Sequence, residues 1–302
     1  MDMREEFVVK VARICDASTR SEAMRYLVRH KDACSNLAEL LAETPGAIEA
    51  IFKELAAVYP QLERHTLTAD ITAPACNAFS LLQVIAGDKF TRPFFKKHDY
   101  SVFLLPFLYH VDSSWSAENL RLGALGVLGA LLKDDDNDDV VAHLVGTPII
   151  PLCLQIMEHD ATVIISLATF VLQKILACPA GLAHCSATPE RITNVLHVLN
   201  IVVTHLTVHP STRLLKLAIR CYISLSRNRQ IFDLVKHTLP QSLKDNTFMA
   251  VFGSSRTVTC EWHCLLQMLG FEKDPAKIDF GDGLLTKEIL EAVFSDTGSS
   301  DA

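Results

Sequence analysis

Two thiols one helical turn apart, with a glutamate, a tryptophan and a histidine between them, form the stretch of this chain closest to a metal site: Cys260-Glu261-Trp262-His263-Cys264. Tetrahedral zinc takes four ligands, and no second pair at ligand spacing accompanies this one. A structural role is expected, with no metal and no cofactor. Asp134, Asp136 and Asp138 alternate as in a calcium loop. The sixth position, however, is Asp139 where such a loop turns on glycine, and the twelfth is Val145 where it needs a bidentate carboxylate. This reads as a solvated acidic turn. Gly123, Gly126 and Gly129 recur every three residues inside an apolar run. Within a helix that spacing brings backbones together and leaves no loop to cradle a phosphate. His184-Cys185 raises the question of a nucleophile, but the chain has no GxSxG elbow, no HExxH and no Walker loop. No enzyme is expected.

The elements that would position these residues are helices. Glu118 to Lys133 is apolar on nearly every side, so it must be buried on several faces at once. Its pattern recurs in CNAFSLLQVIA from Cys76, SLATFVLQKIL from Ser166 and KLAIRCYISLS from Lys216. With Ala78, Ala124, Ala168 and Ala218 as origin, position plus three holds Leu81, Val127, Val171 and Cys221. Position plus four holds Leu82, Leu128, Leu172 and Tyr222, and position plus seven holds Ile85, Leu131, Ile175 and Leu225. The origins are 46, 44 and 50 residues apart, near the period of HEAT and armadillo units. Pro106 and Pro151 sit 45 residues apart in apolar runs between these segments and suit the starts or kinks of further helices. Three helices per unit is the armadillo arrangement. The expected fold is all-α, an armadillo-like right-handed α-solenoid of about six repeats. Residues 1–270 would form the domain, with a tail at 271–302 carrying a short helix at 284–294 and a largely disordered end.

Boundary signals fill in the flanks. Ser18 or Thr19, the latter with Glu22 three residues on, and Asn36 are candidate helix caps. Thr44-Pro45-Gly46 precedes a helix over 47–58, and Tyr59-Pro60 ends it. Further helices are expected at 230–237, 243–252 and 257–269.

Composition narrows the class. A chain of 302 residues, 49% hydrophobic with mean hydropathy +0.23, is long enough to bury about 75% of its unfolded surface without staples. A net charge of -7 gives no global attraction for nucleic acid. Nine cysteines, an odd number mostly within apolar runs, suit reduced thiols. The start MDMREEFVVK lacks a signal-peptide pattern, and no run of about 18 residues is apolar throughout. A soluble cytoplasmic protein is expected, with no membrane partner.

The long helices line the concave side in armadillo stacks. Asn77, Arg121, Lys174, Arg213, Lys216 and Arg220 lie on or beside them and are candidate groove residues. Such side chains hold a peptide backbone or acidic groups through directional bonds. The blocks PLCLQIMEHDATVIISLATFVLQKILACPAGLAH, PERITNV, PSTRLLKLAIRCYISLS and LPQSLKDNTF closely resemble the Rcd-one or Caf-forty family. So do YPQLERHTLTADITAPACNAFSLLQVIA, PFLYHV and LRLGALGVLGALLK, and the resemblance runs from Phe7 to Leu269. It implies an armadillo-repeat subunit of the CCR-NOT complex, which shortens messenger RNA poly(A) tails and represses translation.

The implied partners are the Not-one scaffold subunit and RNA-binding regulators that offer short linear motifs. In animal members tryptophans enter pockets between the C-terminal units. Arg191 and Arg213 match basic positions at or near the family's binding surfaces. Pro189 stands where a tyrosine is expected and Gln230 where an arginine is, which leaves retention of those pockets open. Glu43-Thr44-Pro45 and Glu49 depart from the family pattern near the N-terminal part of the groove. The alternative reading is an armadillo protein that binds nucleic acid or peptide cargo directly through its groove. A weak nucleic-acid contact, a homodimer, and nuclear or P-body pools stay open.

Overall fold

The computed structural model describes residues 3–93, 95, 100–109, 114–134 and 136–271, and every regular element among them is helical. The repeated register lies on four long helices: Ala69–Gly87, Trp115–Leu131, Thr162–Ala177 and Thr212–Ser226. All sixteen side chains at the origin and at plus three, four and seven are at most 2% exposed. A fully buried Leu or Ile contributes about 1.5–3 kcal/mol, so this stripe is a main source of stability. Three of the four helices begin on a hydroxyl that accepts a backbone N–H: Thr68 from Ile71, Ser114 from Ala117 and Ser211 from Leu214. Pro106 and Pro151 fall in the first turns of Leu105–Tyr109 and Ile149–His159, where a missing N–H removes no intrahelical bond.

The glycine spacing has a packing cause at two of its three positions. A Cβ on Gly123 would lie 2.4 Å from Phe79 Cδ2, and one on Gly126 would lie 2.4 Å from Gln83 Nε2. The Ala69–Gly87 and Trp115–Leu131 helices are therefore in backbone-close contact, with Gln83 Nε2 donating to the Gly123 carbonyl at 3.4 Å. At Gly129 the nearest atom is Phe170 Cε1 at 3.5 Å, an ordinary contact, so glycine is not required there.

Contacts group the chain into two compact units, residues 1–181 and 182–302. In the first, Trp115–Leu131 packs between Ala69–Gly87 and Thr162–Ala177. In the second, Thr212–Ser226 packs on Pro189–Val208 and on Arg256–Met268. Trp262 is wholly buried there, stacks on Phe252 at 4.3 Å and donates from Nε1 to the Leu243 carbonyl at 2.6 Å. Its neighbours Cys260 and Cys264 are buried with it, and no group of three potential metal ligands occurs among the described residues. The acidic turn is tied by an ion pair between Asp134 and Arg92.

Three boundaries differ from the sequence expectation. Thr19 does not cap the helix it precedes. Its hydroxyl donates back to the Arg13 carbonyl, Arg20 Nε donates to Ile14, and both close the helix Met3–Ile14. Asp16 braces the turn by accepting from the Ser18 N–H and hydroxyl. The same clasp recurs at 88–92: Thr91 donates to Ile85, Arg92 to Ala86, and Asp88 accepts from the Phe90 and Thr91 N–H groups. Asn36 does not cap either, because its Oδ1 accepts from the Cys34 thiol. The stretch 243–252 is not one helix. A short turn at Gln241–Leu243 and a helix Met249–Ser254 flank a bend held by Asp245, which accepts from Thr247. Gly46 does divide its helices, at a left-handed φ of 82°. No single helix is long and apolar enough to cross a membrane among the described residues. The 284–294 segment lies outside them.

Candidate functional site

The seven basic and amide candidates fall into three physical situations. Arg121 points inward. It is 2% exposed and its guanidinium donates to Asp160, itself buried at the end of Ile149–His159. Burial pushes the Asp160 carboxyl up, while Arg121 pulls it the other way by charge and hydrogen bond. This corrects the groove expectation for Arg121: the side chain is an internal tie between a long helix and the end of a helix in the next repeat.

Lys216 and Arg220 share one carboxylate. Arg220 holds Glu261 in a fork, Nε at 3.0 Å from both oxygens and Nη2 at 2.7 Å from Oε1. Lys216 Nζ stands 3.8 Å from the same Oε1. Glu261 is 9% exposed in its side chain, so the two cations are drawn down onto the helix Arg256–Met268. Lys174 is half-buried and, behind Arg92 and Lys133, contributes to holding the Asp134 carboxyl below its usual range.

The remaining three are open. Arg213 is exposed on the first turn of Thr212–Ser226, and Asn77 is half-exposed on Ala69–Gly87. Arg191 is exposed at the start of Pro189–Val208, its guanidinium donating to the His184 carbonyl at 3.3 Å. Beside it lies an open depression of about 500 Å³ lined by Pro189, Glu190, Thr193, Asn194 and His197. Gln230 is also exposed, its N–H held by the Asn228 side chain.

Asp160 and Glu261 decide which cations are available, and no local pattern pairs them with Arg121 and Arg220. Their signal is long in range. Arg20–Glu54, Arg92–Asp134, Arg121–Asp160 and Arg220–Glu261 are separated by 34, 42, 39 and 41 residues, about one repeat. An acid one period downstream of an arginine is the pattern to search for.

The model of the cell differentiation family, Rcd1-like, matches residues 10–269. The chain belongs to that family. Cell differentiation protein rcd1 of Schizosaccharomyces pombe is 38% identical over 259 residues, covering 86% of this chain and 90% of that one. Protein CAF40 of Saccharomyces cerevisiae is 39% identical over 255 residues, covering 83% of this chain and 66% of that protein. An engineered protein of solved structure superposes with a TM-score of 0.63 at 17% identity, over 87% of this chain and 98% of that one. A designed armadillo repeat protein, solved with the peptide (KR)4, does so with a TM-score of 0.60 at 13% identity and the same coverage. These likenesses show the fold: this family member is an all-α protein of armadillo type.

Proposed function

We propose that this chain is a non-catalytic adaptor subunit of the CCR-NOT complex. It docks on the Not-one scaffold and recruits RNA-binding regulators for messenger RNA deadenylation, decay and translational repression in the cytoplasm. The observation that carries this reading is the family match over 10–269. The family resemblance of the blocks at 122–132 and 151–176 supports inheritance of scaffold docking. Short linear motifs from regulators meet the open cations, Arg191 and Arg213, and Asn77. Residues 1–270 act as the docking domain, and no reaction is assigned to it.

Affinity purification of the tagged chain from its source, followed by mass spectrometry, tests the proposal. Co-purification of the scaffold and deadenylase subunits is expected, and their absence under gentle conditions would overturn it. A direct nucleic-acid site through Lys216 and Arg220 is disfavoured by Glu261, which places a carboxylate on both. Binding to poly(A) that weakens steeply with salt would reinstate it.

A further inference from the structure

One side of the helix Thr212–Ser226 carries a row of cations that the adaptor reading uses only in part. Arg213, Lys216, Arg220 and the capping Arg227 follow at steps of three, four and seven residues, so they line one helix face. Arg213, Arg220 and Arg227 are exposed and Lys216 is half-exposed. Among the described residues the ion pairs bring one carboxylate to this row, Glu261 on Arg256–Met268. Four positive charges therefore meet one negative. The opposite sign is concentrated at the end of the same chain. Residues 272–302 hold eight Asp and Glu against three Lys, a net −5 within the chain's −7. Asp282, Glu288, Glu291 and Asp296 lie in and around the apolar run 284–294.

The root of that acidic segment is fixed beside the row. Lys216 and Arg220 reach Glu261, and Arg227 reaches Cys264, where burial raises the thiol pKa and the Arg227 charge opposes the rise. The two helices thus advance side by side in the same direction, and Arg256–Met268 ends toward Arg227. There Gly270 takes a left-handed φ of 69°, and the Phe271 N–H donates to the Leu266 carbonyl at 2.9 Å. The Phe271 ring is held by two cations, Lys236 Nζ at 5.6 Å and Lys244 Nζ at 5.0 Å from its centroid.

We propose that the acidic segment 282–296 lies along the row from Arg213 to Arg227 of its own chain, an intramolecular occupant that acidic partner peptides must displace. Reach permits it. The row spans about 21 Å at the helical rise, and residues 272–281 extend to about 35 Å. The tether also gives the segment an effective concentration of about millimolar. Surface ion pairs too weak to hold separate molecules together then suffice.

The test is paramagnetic NMR on the full chain. A nitroxide at Ser295→Cys, in a Cys15→Ser background without the exposed thiol, should broaden the amides of Arg213, Lys216, Arg220 and Arg227 and leave those of Lys10 and Arg13 sharp. Glu288→Lys combined with Glu291→Lys should abolish that broadening. Sharp amides along the row in the parent overturn the proposal, and so does broadening that survives the charge reversal. Mixing nitroxide-bearing chain with isotope-labelled chain that lacks the nitroxide should broaden nothing. Broadening in the mixture makes a second copy the occupant and overturns the intramolecular contact. If the reversed variant's amide spectrum changes outside the row, raised salt takes its place and must erase the broadening in the parent, because exposed charges are screened. The measurement needs no partner, so its failure leaves the adaptor reading untouched.

Discussion

In both units an arginine on a long helix reaches a carboxylate about one repeat further along the chain, yet the two ties differ in kind. Arg121 and Asp160 are 2% and 7% exposed in their side chains, whereas Arg220 is 43% exposed over a 9% exposed Glu261. Burial decides the difference. In a dry interior the partners are held by mutual need, since either one alone is an uncompensated charge. At the surface water screens the pair, and the guanidinium can leave for another anion. One arginine is therefore architecture, and the other is a charge held in reserve.

The largest expected effect lies on the buried side. Arg121→Ala should lower unfolding free energy by about 3–5 kcal/mol in urea titration, because it strands Asp160. A loss below about 1 kcal/mol would erase the contrast between the two ties. Next in size is the helix contact beside Arg121. Gly123→Ala forces a methyl against the Phe79 ring and should destabilise by about 1–3 kcal/mol, while Gly129→Ala should be near neutral or stabilising. Equal melts for the two variants would show that the contact at Gly123 relaxes freely. On the open side, Arg220→Ala should cost less than Arg121→Ala in the same titration, because Lys216 remains 3.8 Å from the Glu261 carboxylate. Glu261→Gln should release Lys216 and Arg220 and strengthen binding of acidic peptides, read by fluorescence anisotropy at low salt. Weaker binding would mean that the carboxylate orients these cations for a partner and does not withhold them.

The smallest effect concerns the thiols. Burial pushes Cys153 up to about 12 and Cys185 up to about 11, so little thiolate exists on either at pH 8. Iodoacetamide at that pH should label exposed Cys15 first, followed by mass spectrometry of the peptides. Early labelling of Cys153 would show that the first unit opens readily.

The repeat register was legible because it is local: eight residues of helix carry the apolar face, and tertiary packing buries all sixteen predicted positions. Family and fold class were legible for the same reason, block after block in order. The binding candidates were less so, since a cation looks alike in sequence whether it meets water or an acid 39 or 41 residues away. Arg121 was read as a groove side chain for want of Asp160, and the hold of Glu261 on Lys216 and Arg220 went unseen. The caps failed on a related ambiguity. Thr19 stands between two helices, and its hydroxyl satisfies the end behind it and not the start ahead.

That backward-facing threonine is half of a portable device. The pattern Asp-x-x-Thr-Arg, at 16–20 and again at 88–92, stops one helix and anchors its last carbonyls. In both places the arginine also reaches an acid one repeat on, Glu54 or Asp134. Five residues thus serve as both full stop and hinge pin. A designer who lengthens or shortens this array by whole modules keeps every pin in its socket, whereas an insertion of half a module leaves each arginine facing a stranger.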